Sequence, residues 1–164
     1  MQKPRAIKAT EFVEALRKIQ DINLDIFAVY SHAYLESGNF QCPLTESSFN
    51  VWGIKGSYNG QSTEIPTFEI VDGKTVHITD KFRKYPNFDE GIADYFAKLK
   101  QTYPVSWSKR GAFRDFYKGL LNWENNKLVY PSWSTSPTYA DDLIKCYERL
   151  KTQNDGDLYK AIIS

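Results

Sequence analysis

Glutamates stand at positions in this chain where a carboxyl group could take part in chemistry. Glu36 closes the apolar run DIFAVYSHAYLE and is followed directly by Ser37 and Gly38. The C-terminal end of a helix dipole is negative, so the charged form of a carboxyl group is disfavoured there. Either this side chain reaches solvent, or its proton is held for use as a general acid. Glu64 and Glu69 follow in a segment that is typical of a β-hairpin.

The run that ends at Glu36 is predicted to be a buried helix over about residues 24–37. Asn23 is a suitable N-cap, and Gly38 is well placed as the first residue beyond the C-terminus. Apolar side chains cover nearly the whole circumference, which is typical of a central helix. Burial and the helix end both favour the neutral carboxylic acid, so each raises the pKa of Glu36.

The segment IPTFEIVDGKTVHI, residues 65–78, is predicted to be a β-hairpin. Asp72-Gly73 is a favoured two-residue turn between arms rich in β-branched residues. Glu69 then shares one face of the ribbon with Thr67, Val71, Val76 and Ile78. The predicted register pairs Val71 with Lys74 and Glu69 with Val76.

Helices are predicted on both sides of this hairpin, and residues 39–64 are predicted to be irregular. The expected N-caps are Thr10, Asn87 with Glu90 three residues later, and Ser136 before Pro137. The pattern favours an α+β fold, a helical body with a small hairpin lobe at about 39–80, in one domain over 1–164. The remaining predicted helices cover about 11–20, 88–101, 111–122, 137–151 and 156–163.

Composition excludes some classes of function. The chain has 164 residues with 21 Lys plus Arg, 20 Asp plus Glu and a net charge of +1. No strong field favours a nucleic acid or a membrane surface, and no run approaches the ~20 apolar residues of a membrane span. Aromatic residues make up 15% of the chain. They can fill the core or serve as platforms for sugar rings, and composition does not separate these uses.

The two cysteines, Cys42 and Cys146, form no CxxC or Cys/His cluster, so no metal site is expected. A disulfide between them stays an open alternative. The start of the chain, MQKPRAIKATEF, has no apolar signal-peptide core. A leaderless protein or a domain cut from something longer is therefore expected.

Five segments stand in one order along the chain: Glu36-Ser37-Gly38 at a predicted helix end, then FNVWGIKGSYNG, TEIPTFEIVDGK, DKFRKYPNFDEGIADY and SWSTSPTYADDLI. Taken in this order they resemble glycoside hydrolase family 73, the lysozyme-like bacterial and phage endo-β-N-acetylglucosaminidases that cut peptidoglycan. In that family the ESG at the helix end is catalytic. Together they span about residues 24–150. Asn39-Phe40 departs from the Trp-Gly that often follows ESG, and Trp133 replaces a family tyrosine.

The resemblance implies a lysozyme-like body with a cleft between the helices and the hairpin lobe. Glu36 would be the general acid and Glu69 the assisting carboxylate, with Glu64 as a rival for the second role. Glu69 could activate water in an inverting reaction, or it could act only electrostatically while the substrate's N-acetyl group assists. Tyr139 matches a tyrosine that lines the cleft near the acid.

The same resemblance gives a set of residues expected to contact the glycan. Trp52, Tyr58 and Trp133 are expected sugar platforms, each weighed against simple packing. His32 lies one helical turn before Glu36, where it could tune the acid, contact substrate or be a satisfied core histidine. Asn50 completes the expected substrate-binding set.

The function that follows is hydrolysis of the peptidoglycan glycan strand by a monomer at the bacterial cell wall, with no metal or organic cofactor implied. The start of the chain then favours a phage-associated or tail-associated lysin or an excised catalytic domain, which would be secreted, virion-associated or released at lysis. Muramidases and lytic transglycosylases share the fold and the lone helix-end Glu but cut the alternate bond. A glycan-binding or virion-tail module without turnover is the alternative that is not an enzyme. Loss of one carboxylate would indicate that module, and in this sequence both positions are filled.

Overall fold

Helices and one long β-hairpin make up the part of the chain that this computed structural model describes, residues 4–153, with side chains for 8–152 except Glu69. The predicted mixture of a helical body and a small sheet is confirmed. The predicted helix at 156–163 lies outside the described residues. In chain order the elements are α1 Pro4–Arg17, α2 Ile26–Glu36, α3 Pro43–Ser48, β1 Ser62–Val71, β2 Lys74–Arg83, α4 Phe88–Thr102, α5 Pro104–Ser108, α6 Phe113–Lys118, β3 Trp123–Glu124, β4 Lys127–Leu128 and α7 Tyr139–Gln153.

Helix α2 is the central helix, as its apolar circumference predicts, and every residue from 27 to 33 is buried. The expected cap at Asn23 is wrong by two residues. The Asp25 carboxylate accepts from the Ala28 amide at 3.2 Å. It also accepts from the Tyr147 hydroxyl of α7 at 2.8 Å, so the same carboxylate caps α2 and ties it to α7.

Several helix boundaries differ from the predictions. Helix α1 begins at Pro4, so Thr10 lies inside it rather than capping it. Proline is favoured in the first turn of a helix because its missing N–H has no intrahelical partner there. Helix α7 begins at Tyr139, two residues after the predicted start. Helices α3 and α5 were not predicted. Each starts at a proline, and that of α3, Pro43, lies in the segment predicted to be irregular.

The hairpin has the predicted turn and register, and it is longer than predicted. Glu69 pairs with Val76, and the strands extend to a Ser62–Arg83 pair at the base. Asp72 and Gly73 both have positive φ, at 51° and 75°. That combination suits the two-residue turns that join antiparallel strands.

The base of the hairpin is bound to the helical body, whereas its outer half carries exposed apolar side chains. The hydroxyls of Ser48 and Thr63 lie 2.6 Å apart, and the Arg83 amide donates to the Ile54 carbonyl at 2.9 Å. Further out, Phe68 is 68% exposed and Ile70 is 74% exposed. The strands therefore keep their register mainly through backbone hydrogen bonds, the turn and the attachment at the base.

Cys42 and Cys146 are both free, so the alternative of a disulfide between them is wrong. Cys146 is buried and lies with its sulfur 3.8 Å from the Ser31 carbonyl of α2. Between residues 4 and 153, no helix is long and apolar enough to cross a membrane.

Asp94 joins the base of the hairpin to α4, and its loss should lower stability. Its Oδ2 accepts from the Tyr85 hydroxyl at 2.5 Å and from Arg83 Nη1 at 2.8 Å. The Asp94 side chain is only 15% exposed. Asp94→Asn removes the charge from both bonds, so we expect a loss of about 1.5–3 kcal/mol in the free energy of unfolding, measured in urea.

Asp89→Asn on the same helix is the matched control. Its partner Lys18 lies 3.2 Å away, and both side chains are more than half exposed. An exposed ion pair contributes at most about 1 kcal/mol. Equal losses for the two variants would show that the Asp94 contacts do not hold the hairpin base.

Candidate active site

The turn after α2 fixes the position of Glu36, the last residue of that helix. The Ser37 hydroxyl donates to the Ala33 carbonyl at 2.6 Å and accepts from the Phe40 amide at 2.8 Å. Gly38 has a φ of 57°, which glycine adopts without strain, and the predicted helix end there is confirmed. The Phe40 ring is buried and packs against the Phe12 ring, with ring centroids 5.2 Å apart. The Ser-Gly sequence therefore closes the helix, and Phe40 anchors the turn in the core.

Glu36 is partly buried, and the hydrogen-bond donors around it are uncharged. The Tyr139 hydroxyl, at the start of α7, donates to Glu36 Oε1. The Trp133 indole acts on the pKa of the same carboxyl group as a second uncharged donor. Burial raises the pKa of Glu36, and the bonds from Tyr139 and Trp133 oppose that shift. Glu36 therefore holds its proton to a higher pH than an ordinary glutamate does. The same donors can stabilise the carboxylate once the proton is lost.

A buried chain of hydroxyls and one imidazole extends from this carboxyl group into the core. His32 Nε2 lies 3.1 Å from the Tyr139 hydroxyl oxygen, and His32 Nδ1 lies 2.7 Å from the Tyr95 hydroxyl oxygen. His32 and Tyr95 are completely buried. Burial lowers the pKa of His32 to about 3, so the ring is neutral. The structure thus joins Glu36, Tyr139, His32 and Tyr95 in one line of hydrogen bonds.

Three residues that were expected to contact the glycan, His32, Trp52 and Asn50, lie in the core instead. His32 has no exposed surface and cannot contact a substrate. Trp52 is 3% exposed and stacks on Tyr95 with ring centroids 3.8 Å apart, so it is a packing residue and not a sugar platform. Asn50 is 1% exposed, and its amide bonds the Ile54 and Arg83 backbones at the hairpin base. Its side chain holds the loop.

The other two expected platforms lie in different places. Trp133 is half-buried against the His32 ring, with centroids 4.8 Å apart, and its indole acts as a donor on the pKa of Glu36. Tyr58 is partly exposed and donates to Glu90 at 2.9 Å. It lines a surface pocket with Lys84 and Tyr85 that includes neither Glu36 nor Tyr139. The structure therefore brings Trp133 to the acid and leaves Tyr58 in a separate group.

The hairpin glutamates are placed by their backbone positions. Glu69 lies on β1 opposite Val76, three residues before the turn, as predicted. Glu64 lies nearer the base, opposite Lys81, and is exposed. An exposed carboxylate beside a cross-strand lysine is typical of a solvated pair.

Tyr95 also takes part in this line of hydrogen bonds, and it was not among the predicted site residues. It lies in phase with Phe88, Ile92 and Leu99 on α4, so its spacing predicts only a core side chain. Nothing in that pattern shows that its hydroxyl would meet an imidazole on another helix. Among the described residues, no group of three or more His, Cys, Asp or Glu side chains could hold a metal ion.

Comparison with known proteins identifies the family. Residues 11–152 match the glucosaminidase family, described as mannosyl-glycoprotein endo-beta-N-acetylglucosaminidase. The chain belongs to this family. It is therefore a family 73 glycoside hydrolase domain, which confirms the resemblance drawn from the sequence.

Curated relatives and solved structures agree with this assignment. The chain is 36% identical over 124 residues to an autolysin of Enterococcus faecalis, covering 72% of this chain and 16% of that protein. It is 32% identical to the exo-glucosaminidase LytG of Bacillus subtilis, covering 73% of this chain and 42% of the relative. The chain thus spans less than half the length of these relatives.

The solved structures share the fold across nearly the whole chain. The catalytic domain of the autolysin Auto from Listeria monocytogenes is 25% identical, with a TM-score of 0.66, covering 98% of this chain and 90% of that one. A truncated glycoside hydrolase domain of Salmonella typhimurium FlgJ is also 25% identical, with a TM-score of 0.64, covering 90% of this chain and 98% of that one.

The raised pKa of Glu36 predicts how the stability of this family 73 domain depends on pH. A carboxyl group with a raised folded-state pKa binds its proton more tightly in the folded state. Its contribution to stability is fully present below the ordinary value of 4.5 and is lost as pH rises through the folded value. The Gln in Glu36→Gln is neutral at every pH. We therefore expect the Tm of the variant minus the Tm of the wild type to be larger at pH 8 than at pH 4. A gain of the same size at both pH values would contradict this assignment.

Proposed function

We propose that this chain hydrolyses the glycan strand of peptidoglycan, cutting after N-acetylglucosamine as an endo-β-N-acetylglucosaminidase. The observation that carries the proposal is the partly buried Glu36, whose raised pKa is matched with uncharged donors from Tyr139 and Trp133. Glycoside hydrolysis needs a carboxylic acid that keeps its proton until the leaving oxygen requires it. Relatives named autolysin, exo-glucosaminidase and peptidoglycan hydrolase support this substrate.

In the proposed reaction, Glu36 protonates the glycosidic oxygen while the bond to the anomeric carbon breaks. The sugar then develops oxocarbenium character, and the second carboxylate assists from the hairpin lobe. Glu69 is our choice for that carboxylate. It either takes a proton from the water whose oxygen forms the new bond to the anomeric carbon, or it stabilises a substrate whose N-acetyl oxygen forms that bond first and is then displaced by water, which returns a proton to Glu36. Tyr139 and Trp133 donate hydrogen bonds to the Glu36 carboxylate that remains. This chemistry uses no metal or organic cofactor.

The proposal includes the setting in which the domain works. We propose a monomer that acts at the bacterial cell wall, without inserting into a membrane and without a nucleic-acid partner. Sedimentation equilibrium should then give the mass of one chain at micromolar concentration. A concentration-dependent dimer would overturn the monomer.

The deciding experiment is mass spectrometry of the muropeptides released from purified bacterial sacculi. Products with N-acetylglucosamine at the reducing end would support the proposal. Reducing-end N-acetylmuramic acid would indicate a muramidase, and anhydro products would indicate a lytic transglycosylase. No release from several wall types would leave a binding or structural module.

Substitutions in the hairpin test the second carboxylate. We expect Glu69→Gln to lower kcat by about 10²-fold, the lower range for one acid–base or electrostatic group. Glu64→Gln is the matched control on the same strand and should stay within about twofold of wild type, because surface changes of this kind have small effects. The reverse order would assign the role to Glu64, and two small effects would favour reaction without a hairpin carboxylate.

A further inference from the structure

His32 lies between two tyrosine hydroxyls, and this position limits where its proton can be. The ring is neutral, so one nitrogen carries hydrogen and the other carries a lone pair. Nδ1 lies 2.7 Å from the Tyr95 oxygen, and Nε2 lies 3.1 Å from the Tyr139 oxygen. One tyrosine must therefore donate to the ring, and the other must accept from it.

The bond between Tyr139 and Glu36 decides between the two tautomers. A tyrosine has one hydroxyl proton, and that of Tyr139 is directed to Glu36 Oε1. The Tyr139 oxygen must then accept from the imidazole, which places the ring hydrogen on Nε2. Nδ1 keeps its lone pair and accepts from Tyr95. Every donor in the line then points towards the carboxyl group.

The opposite tautomer leaves buried groups unsatisfied. With hydrogen on Nδ1, the ring would donate to Tyr95, and Tyr139 would have to donate to Nε2 rather than to Glu36. The Tyr95 hydroxyl hydrogen would then have no acceptor, because His32 is its only hydrogen-bond partner among the residues whose side chains are described. An unsatisfied buried donor costs about 1–3 kcal/mol. Once Glu36 has given up its proton, the carboxylate would also face a tyrosine lone pair.

We propose that His32 is a positioning residue whose Nε2–H tautomer directs the Tyr139 proton to Glu36 Oε1, so that the acidic proton of Glu36 resides on Oε2. This inference rests on the proposed function only in taking Glu36 as the general acid. A proton on Oε1 would be shared with Tyr139 inside the protein. A proton on Oε2 is left for the glycosidic oxygen.

The surroundings of His32 contain few groups that could disturb this arrangement. Among the described residues, the rings packed against it are those of Tyr95 from α4, Tyr117 from α6, Trp133 from the loop before α7 and Tyr139 from α7. The carboxyl group of its own helix, that of Glu36, lies beyond Tyr139 in the line of hydrogen bonds. Of these, only Glu36 titrates in the working range of pH, because burial raises the pKa of Tyr95, Tyr117 and Tyr139. The tautomer should therefore stay the same on both sides of the Glu36 titration.

The arrangement also prepares the site for the charge that forms during the reaction. When Glu36 has given up its proton, the Tyr139 hydroxyl already points at the new carboxylate, and His32 already points at Tyr139. Donors that are fixed before charge develops need not reorganise in the transition state. His32 therefore acts through Tyr139, without touching the substrate.

Nitrogen-15 NMR of the histidine rings tests the proposal without any substrate. The chain has two histidines, so His77→Gln assigns the remaining ring signals to His32. We expect a neutral ring with hydrogen on Nε2 from pH 4 to pH 8. An Nδ1–H ring, a mixture of tautomers, or a switch as Glu36 titrates would overturn the proposal. Because no turnover is measured, this outcome is independent of the proposed function.

Two substitutions at His32 separate positioning from packing. His32→Gln retains one amide donor and one acceptor, and we expect kcat within about threefold of wild type. His32→Leu fills the space without a donor, and we expect kcat about 10- to 100-fold lower with KM little changed. The high-pH limb of its kcat profile should also move upward, because the Glu36 carboxylate loses support. Equal kcat and equal pH profiles for the two variants would overturn the role of His32.

Discussion

Glu36→Gln should lower kcat on peptidoglycan by about 10³-fold or more while leaving KM within a few-fold. Gln keeps the size of the side chain and can still accept the bond from Tyr139, but it has no proton acidic enough to give to a leaving oxygen. Loss of a general acid typically costs 10²- to 10⁴-fold, and a sugar alkoxide is a poor leaving group without protonation. New reducing ends released from sacculi give the rate directly.

Glu46→Gln is the control for this change. Glu46 is an exposed residue of α3, so the same substitution there should leave kcat unchanged. A loss of tenfold or less for Glu36→Gln, with a folded variant, would mean that another group protonates the leaving oxygen. Glu36 would then be a structural carboxyl group at a helix end.

Tyr139→Phe should lower kcat by about 10²-fold and move the high-pH limb of the kcat profile upward. The hydroxyl donates to Glu36, and this bond opposes the burial that raises the pKa of the carboxyl group. Without it the acid holds its proton more tightly, so activity persists to higher pH. The maximum rate falls because the carboxylate formed in the reaction has lost the hydrogen bond from Tyr139. A hydrogen bond to a charged acceptor is stronger than one to a neutral acceptor.

Tyr147→Phe is the matched control on the same helix. The Tyr147 hydroxyl also donates to a carboxylate of α2, that of Asp25 at 2.8 Å, but at the opposite end of that helix from Glu36. We expect this variant to lose stability while keeping the wild-type pH profile. If both variants shifted the profile equally, the effect of Tyr139→Phe would be a general loosening of the contact between α2 and α7.

The sequence alone predicted the parts of the fold that depend on local patterns. The apolar circumference of α2 predicts its burial, and the Ser37 hydroxyl with Gly38 predicts where the helix ends. The dihedral angles that Asp72 and Gly73 favour predict the hairpin turn. The small hairpin of β3 and β4 was missed. Its turn residues, Asn125 and Asn126, both have positive φ, a signal that the sequence did contain.

The burial of the expected platforms could not be predicted in the same way. Trp52 is buried because a ring from α4, more than forty residues later, meets it face to face. An indole suits a sugar face and a tyrosine ring equally well, so residue type does not choose between them. The line from Tyr95 through His32 to Tyr139 likewise depends on three helices meeting, which no single segment encodes.

The uncharged surroundings of Glu36 determine how its pKa responds to ionic strength. Among the described residues, those that shift its pKa act by burial or by neutral hydrogen bonds, and none carries a formal charge. Mobile ions screen charge–charge interactions over a Debye length of about 10 Å at 0.1 M, but they do not screen burial or a hydroxyl contact. The acidity of Glu36 is therefore largely independent of ionic strength, so counterions that gather around a charged polymer should leave its protonation unchanged. Salt would alter the approach of the substrate and leave the acid as it is.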